Sequence, residues 1–276
     1  MDPAMTDPLR HSAIHSGPKD ADLPWDRITL SVVIPAYNEI DTAEQLLRRV
    51  REVPLKLEVI VVDDGSTDGT RDLLARLEGE GLIDVLVLQE RNQGKGAALQ
   101  AGFKRATGHV TVVQDADLEY DPFEFPLLLH PILSGKADAV YGSRFLGGPH
   151  RVLLFWHSVG NKYLTLLSNM LTDLNLTDME TCYKMVRTDL LQSLPLSAKR
   201  FGIEPELTAR LAQARARIYE LPISYHGRSY AEGKKINWKD GVAALWYILR
   251  SNLLPPKARP WTPREKAPWE EEVPGG

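Results

Sequence analysis

Four short β-branched runs, residues 31–34 (SVVI), 58–62 (EVIVV), 85–88 (VLVL) and 109–113 (HVTVV), are separated by stretches with helical spacing at 43–50 (AEQLLRRV), 69–77 (GTRDLLARL) and 95–106 (KGAALQAGFKRA). Strands that alternate with helices predict right-handed βαβ units and a mostly parallel sheet covered on both faces, an α/β fold. A fifth apolar run, 137–141 (ADAVY), extends the pattern. Beyond Gly148 the chain becomes rich in Leu, Trp and Phe. Its spacing predicts a helix around 152–171, another over 204–216, a strand over 218–225 and a closing amphipathic helix over 238–253. No internal repeat is visible.

In open α/β sheets ligands bind beyond the carboxyl ends of the strands. The segments there are PAYNE, DDGSTDGT, QERNQGKG and QDADLE, and the fifth run ends in GSRFLGG. In DDGSTDGT the glycines permit a sharp turn, and Ser66, Thr67 and Asp68 can cap the following helix. An Asx-rich turn is one explanation of that segment; contact of Asp63 and Asp64 with a nucleobase or ribose is the other. GxGxxG is absent, which disfavours a nicotinamide site, and GKG at 94–96 does not satisfy GxxxxGK[ST]. Lys95 opens a helix there, either solvated or in contact with a phosphate.

Asp115, Asp117 and Glu119 stand at alternate positions after a hydrophobic run. If strand geometry persists past Gln114, all three share a face. A solvated acidic turn is one explanation of the cluster; the other is a hard divalent cation, Mg2+ or Mn2+, bridging carboxylates to a diphosphate and acting as Lewis acid for a phosphate leaving group.

The 276 residues, 43% hydrophobic, suffice for one large domain. A net charge of −4 argues against a general nucleic-acid binder, so basic residues must act locally. A single cysteine, Cys182, excludes an internal disulfide and a multi-cysteine metal site and suits a reducing compartment. Residues 1–29 lack the apolar core of a secretory signal and read as a disordered leader. The folded domain is expected over 30–254, and 255–276, rich in proline and charge, as a disordered tail. No apolar run approaches the ~20 residues that span a bilayer. The expected location is cytoplasmic, with peripheral membrane contact through the aromatic helices at 152–171 and 238–253.

In this order, VVIPAYNE, VDDGSTDGT, RNQGKG, DADLE, YGSRFLGG, DMETCYKM and YHGRSYAEGKKINWKDG resemble family 2 glycosyltransferases of the GT-A fold. The resemblance is specifically to the branch containing dolichyl-phosphate mannosyltransferase and bacterial polyprenyl-phosphate glycosyltransferases, over about 30–250. The resemblance implies a single Rossmann-like domain with C-terminal amphipathic helices. It implies an inverting, metal-dependent transfer of a hexose, from GDP-mannose or UDP-glucose, to a polyprenyl or dolichyl phosphate. Pro35, Tyr37, Glu39 and Asp64 would line the nucleotide, with Val62 giving backbone or apolar contact and Lys95 as a further donor contact. Asp115 and Asp117, flanking Ala116, would hold metal and diphosphate, with Glu119 as a third ligand. Arg144 would meet the acceptor phosphate, with Arg151 as the second arginine. Arg228 and Lys234 would belong to a basic segment closing over the donor. Asp178 and Glu180 fall where relatives carry an acid near the sugar and acceptor, Asp178 serving as general base for an alcohol acceptor or orienting the sugar for a phosphate acceptor. A soluble saccharide acceptor, a nucleotidyltransferase and a non-catalytic sugar-nucleotide-binding module are the alternatives.

Overall fold

The computed structural model describes residues 23–147, 149, 151–152, 155–227 and 238–262. In chain order the elements are β1 (Thr29–Ala36), α1 (Ala43–Glu52), β2 (Lys56–Asp63), α2 (Thr70–Gly79), β3 (Val85–Leu88), α3 (Lys95–Phe103), β4 (Val110–Val113), α4 (Phe125–Leu133), β5 (Ala139–Ser143), α5 (Phe155–Thr172), β6 (Lys184–Arg187), α6 (Thr188–Ser193), α7 (Ile203–Gln213), β7 (Ile218–Pro222) and α8 (Trp238–Leu253). The strands form one sheet in the order β3-β2-β1-β4-β6-β5-β7. β1, β2, β3 and β4 pair in parallel, as do β5 and β7; β6 runs antiparallel to both of its neighbours.

The β-branched runs form the central strands because both sheet faces are covered, so both sets of alternating side chains must be apolar. Val32, Val33 and Ile34 of β1, Val59 to Val62 of β2, and Val110 and Val112 of β4 are all buried. Gly102 lets α3 lie close on this surface, since a Cβ there would run into Val33.

Three elements escape the sequence pattern, among them the six-residue helix α6 that follows β6. α4 forms from FPLLLHPIL directly after a short 3-10 turn at Pro122–Glu124, which Asp121 caps by accepting from the Phe123 amide at 3.1 Å. β6 is a four-residue strand, KMVR, with a charge at each end and all four residues buried. Elsewhere the expected strand at 218–225 ends at Pro222, and the helix expected to reach 106 ends at Phe103. Packing also extends past the expected bounds of 30 and 254. Leu23 and Ile28 are buried in the core, Ala258 and Trp261 pack against it, and the Trp261 amide donates to the Ala214 carbonyl at 2.9 Å.

β1 lies between β2 and β4, so the chain winds outward in both directions from it and leaves a crevice at the carboxyl ends. Because β6 is antiparallel, the loop that precedes it, 177–183, arrives at the edge where β4 and β5 end. Topology thus brings DMETCYK beside DADLE and GSR.

Candidate active site

The loops after β1 and β2 are tied together. The Thr67 amide donates to Asn38 Oδ1 at 2.9 Å, the Asn38 amide to Ser66 Oγ at 3.0 Å, and the Glu39 amide to Thr70 Oγ1 at 3.0 Å. Pro35 pairs with Val62 across the two strands, and Tyr37 is exposed at the rim. Glu39 accepts from Thr42 Oγ1 at 3.0 Å. Val62 is fully buried and lies in register with Pro35 and Val87 on its two neighbouring strands, so neither its side chain nor its backbone is exposed to a ligand.

Asp64 serves the scaffold more than expected. It is 3% exposed, and its oxygens accept from the amides of Gln93 (2.8 Å) and Gly94 (2.7 Å). Burial pushes its carboxyl up, while these two amides act the other way. Asp63 likewise accepts from the Gly65 amide (3.2 Å) and Arg71 Nε (3.1 Å). Gly65, at φ 75°, is required: a Cβ would come within 2.6 Å of the Arg91 carbonyl carbon. The glycines flanking Lys95 have a packing cause too, because a Cβ at either would strike the backbone of 198–200.

The three carboxylates do not line one face. β4 ends at Val113, and Leu118 takes the left-handed conformation (φ 62°), so the alternation lapses into a turn. Asp115 meets Lys95 Nζ at 2.8 Å, and Lys95 also meets Glu204 at 2.9 Å. Lys95 is thus an ion-paired group and not a solvated one. Burial disfavours its charge, yet Asp115 and Glu204 hold its pKa well above the ordinary lysine value. Asp117 Oδ1 accepts from the Glu119 amide at 3.2 Å, and Glu119 Oε2 accepts from Tyr225 Oη at 2.7 Å. Ala116 is buried between the two aspartates. Among the described residues no three or more His, Cys, Asp or Glu side chains gather to hold a metal by themselves. Two carboxylates at the crevice nevertheless fit Mg2+ or Mn2+, which take one or two carboxylates and complete their shell with substrate phosphates and water. Cys182 beneath them is buried, and burial with Asp115 nearby pushes its thiol well up, which suits a structural residue.

At the end of β5, Arg144 forms a forked pair with Asp178, Nε to Oδ2 at 2.6 Å and Nη2 to Oδ1 at 2.8 Å. Asn161 of α5 donates to Asp178 Oδ1 at 3.2 Å, and the Arg144 guanidinium lies 5.2 Å from the Tyr225 ring centre. Asp178 is fully buried. Burial alone would raise its pKa, but the charge and hydrogen bonds of Arg144 hold it below the usual carboxylate value. Both oxygens are engaged, so Asp178 holds Arg144 in place and is unsuited to act as a general base. Arg151 lies at the exposed rim, donating its amide to the Tyr225 carbonyl at 2.9 Å and Nη1 to the Gly227 carbonyl at 3.3 Å. Arg228 and Lys234 lie outside the described residues.

Between the two aspartate groups, burial and the Glu204 carboxylate push Glu180 up to about 8. Burial lowers Lys184 to about 8; its Nζ donates to the carbonyls of Met179 (2.7 Å) and Thr181 (2.5 Å). Glu204, Lys184, Asn161 and Tyr225 were not expected at the site. Two of them carried a signal, Tyr225 as the first residue of YHGRSYAEGKK and Lys184 within DMETCYKM.

The model of glycosyl transferase family 2 matches residues 31–194, more than half of the chain. The chain is a family 2 glycosyltransferase. This glycosyltransferase is 31% identical over 246 residues to undecaprenyl-phosphate mannosyltransferase of Micrococcus luteus, covering 80% of this chain and 97% of that one. It is 29% identical over 216 residues to dodecaprenyl-phosphate galacturonate synthase of Rhizobium johnstonii, covering 76% of this chain and 63% of the relative, so it spans less than two thirds of that protein. Among solved structures, glucosyl-3-phosphoglycerate synthase from Mycobacterium tuberculosis, crystallised with Mn2+, UDP and glucosyl-3-phosphoglycerate, aligns with a TM-score of 0.64 at 24% identity over 83% of this chain and 81% of that chain. That likeness establishes a shared GT-A fold.

Proposed function

We propose that this glycosyltransferase moves a hexose, with inversion, from a nucleotide diphosphate sugar such as GDP-mannose or UDP-glucose to a polyprenyl phosphate. The observation that carries it is the forked Arg144–Asp178 pair at the end of β5, one strand away from Asp115 and Asp117 at the end of β4. A guanidinium held in place by a buried carboxylate presents its remaining N–H groups to a phosphate. The names of the relatives from Micrococcus luteus and Rhizobium johnstonii support a polyprenyl-phosphate acceptor.

In this reaction an acceptor phosphate oxygen forms the new bond to the anomeric carbon, while the bond from that carbon to the donor's diphosphate oxygen breaks and the nucleoside diphosphate leaves. The acceptor is already an anion, so it needs no general base, in keeping with an Asp178 whose oxygens are both occupied. Asp115 and Asp117 would hold Mg2+ or Mn2+, which when bound supplies Lewis-acid stabilisation to the diphosphate. Lys95 holds Asp115 in position from below. Pro35, Tyr37 and Glu39 are assigned to the nucleotide, and Arg228 and Lys234 to the departing diphosphate.

Membrane contact follows from α5. Its inward residue Asn161 touches Asp178, while Phe155 (70%), Trp156 (78%) and Met170 (73%) are exposed; Trp246 of α8 is 57% exposed. No helix among the described residues is long and apolar enough to cross a membrane. Aromatic residues on an amphipathic helix favour the interface, where a lipid phosphate lies.

The deciding experiment incubates the protein with each donor, Mn2+ and either polyprenyl phosphate or free saccharides. Sugar on the lipid phosphate with release of intact GDP or UDP is expected, and flotation with vesicles containing the acceptor should weaken in Trp156→Ser. Transfer to the saccharides alone would replace the lipid acceptor, and release of pyrophosphate would reject sugar transfer altogether.

A further inference from the structure

Tyr225 touches both halves of the site. Its hydroxyl donates to Glu119 Oε2 at 2.7 Å, and the Glu119 carbonyl in turn accepts from the next amide, His226, at 2.9 Å. Its ring lies 5.2 Å from the Arg144 guanidinium and 5.3 Å, edge on, from the ring of Tyr120, the residue after Glu119. Its backbone is pinned on the Arg144 side, the amide donating to Pro149 O at 3.0 Å and the carbonyl accepting from the Arg151 amide at 2.9 Å. No other side chain described above contacts both the acidic turn and the forked arginine.

The two ends of the residue do different physical work. The hydroxyl fixes the rotamer of a carboxylate in the turn that carries Asp115 and Asp117, and such outer partners orient metal ligands and tune their affinity. The ring presents its negative face to a guanidinium whose edge is already taken by Asp178, a cation–π contact that grows when water is excluded. Burial and the Glu119 charge keep the phenol protonated, so the hydroxyl remains the donor in this bond.

We infer that Tyr225 is a positioning residue for both substrates: its hydroxyl sets the donor-side turn through Glu119, and its ring seats Arg144 for the acceptor phosphate. This rests on the function proposed above, since the two sides have meaning only for a donor diphosphate and a phosphate acceptor.

The test compares Tyr225→Phe and Tyr225→Leu in the full chain, measuring Mn2+ binding by electron paramagnetic resonance in the presence of GDP or UDP, KM for polyprenyl phosphate, and melting temperature. Tyr225→Phe should weaken Mn2+ binding about tenfold, the low end of what loss of an outer-shell partner costs, with the acceptor KM held within about twofold. Tyr225→Leu should weaken Mn2+ binding equally and also raise the acceptor KM several-fold. Should the Leu variant fail to fold, a double cycle of Tyr225→Phe with Glu119→Gln decides: Mn2+ affinities that multiply independently overturn the inference, and a Phe change with no further effect in the Gln background supports it. Equal shifts of both substrates in the Phe variant, tracking the loss of melting temperature, would reduce Tyr225 to a packing residue. A wild-type protein that binds no nucleotide with Mn2+ would instead bring down the function proposed above, and the inference with it.

Discussion

The half of the sheet built from β1, β2 and β3 and the half built from β6, β5 and β7 differ in what their crevice-edge polar side chains mainly grip, although Asp63 of β2 also pairs with Arg71 and Glu220 of β7 also accepts from the Thr177 and Asp178 amides. On the first half carboxylates hold backbone: Asp64 grips the amides of Gln93 and Gly94, and Asp63 those of Gly65 and Ser66. On the second half side chains hold one another, as in Arg144 with Asp178, or a buried ammonium caps carbonyls, as Lys184 does. An amide-held carboxylate such as Asp64 fixes a loop through its bonds to backbone N–H groups. Paired side chains keep a cation at the crevice whose remaining donors stay free for a ligand.

Four measurements test this contrast. The largest effect is expected from Asp178→Asn, which leaves Arg144 buried beside a neutral amide. Removing one partner of a buried pair costs about 3–5 kcal/mol, to be read as a lower denaturant midpoint. Asp64→Asn should cost less, about 1.5–3 kcal/mol, the scale of hydrogen bonds to a charged group; a loss exceeding that of Asp178→Asn would break the comparison. Gly65→Ala, which forces a side chain into the left-handed region against the Arg91 carbonyl, should cost at least about 1–2 kcal/mol without changing the pH dependence.

The fourth is a pH experiment on Glu180→Gln. The folded pKa of Glu180 is raised to about 8 from an unfolded value near 4.5, so the folded state binds the extra proton between them. Its contribution is full below about pH 4.5 and is lost as pH rises towards 8. Replacement by an uncharged amide should leave the melting temperature nearly unchanged near pH 4.5 and raise it at pH 8, by roughly 2–4 °C for each kcal/mol recovered. A melting curve that keeps the wild-type pH slope would remove Glu180 from the buried network.

Much of the first half was legible because its strands are β-branched, its helices regular and its ligand-facing segments polar, so period and position agreed. The second half was not, and β6 shows why. KMVR has no room for alternation, and charged Lys184 and Arg187 look unfit for a buried strand until Lys184 finds the carbonyls of Met179 and Thr181 and Arg187 lies 5.1 Å from the Trp261 ring. The same blindness affected the site. Alternate acids in DADLE suggested one face, but Leu118 turns the chain over. Asp64 lay in the right segment, but its amide partners stand some thirty residues away and no local pattern announces them.

The antiparallel β6 also acts as a ruler. One strand inserted between β4 and β5 sets the ends of those strands two strand spacings apart, roughly 10 Å, and that width cannot change without breaking ladder bonds on both sides. On the assignment proposed above, with the donor at the end of β4 and the acceptor at the end of β5, the reach between them is written into backbone geometry, and either end loop can be altered while that distance stays constant.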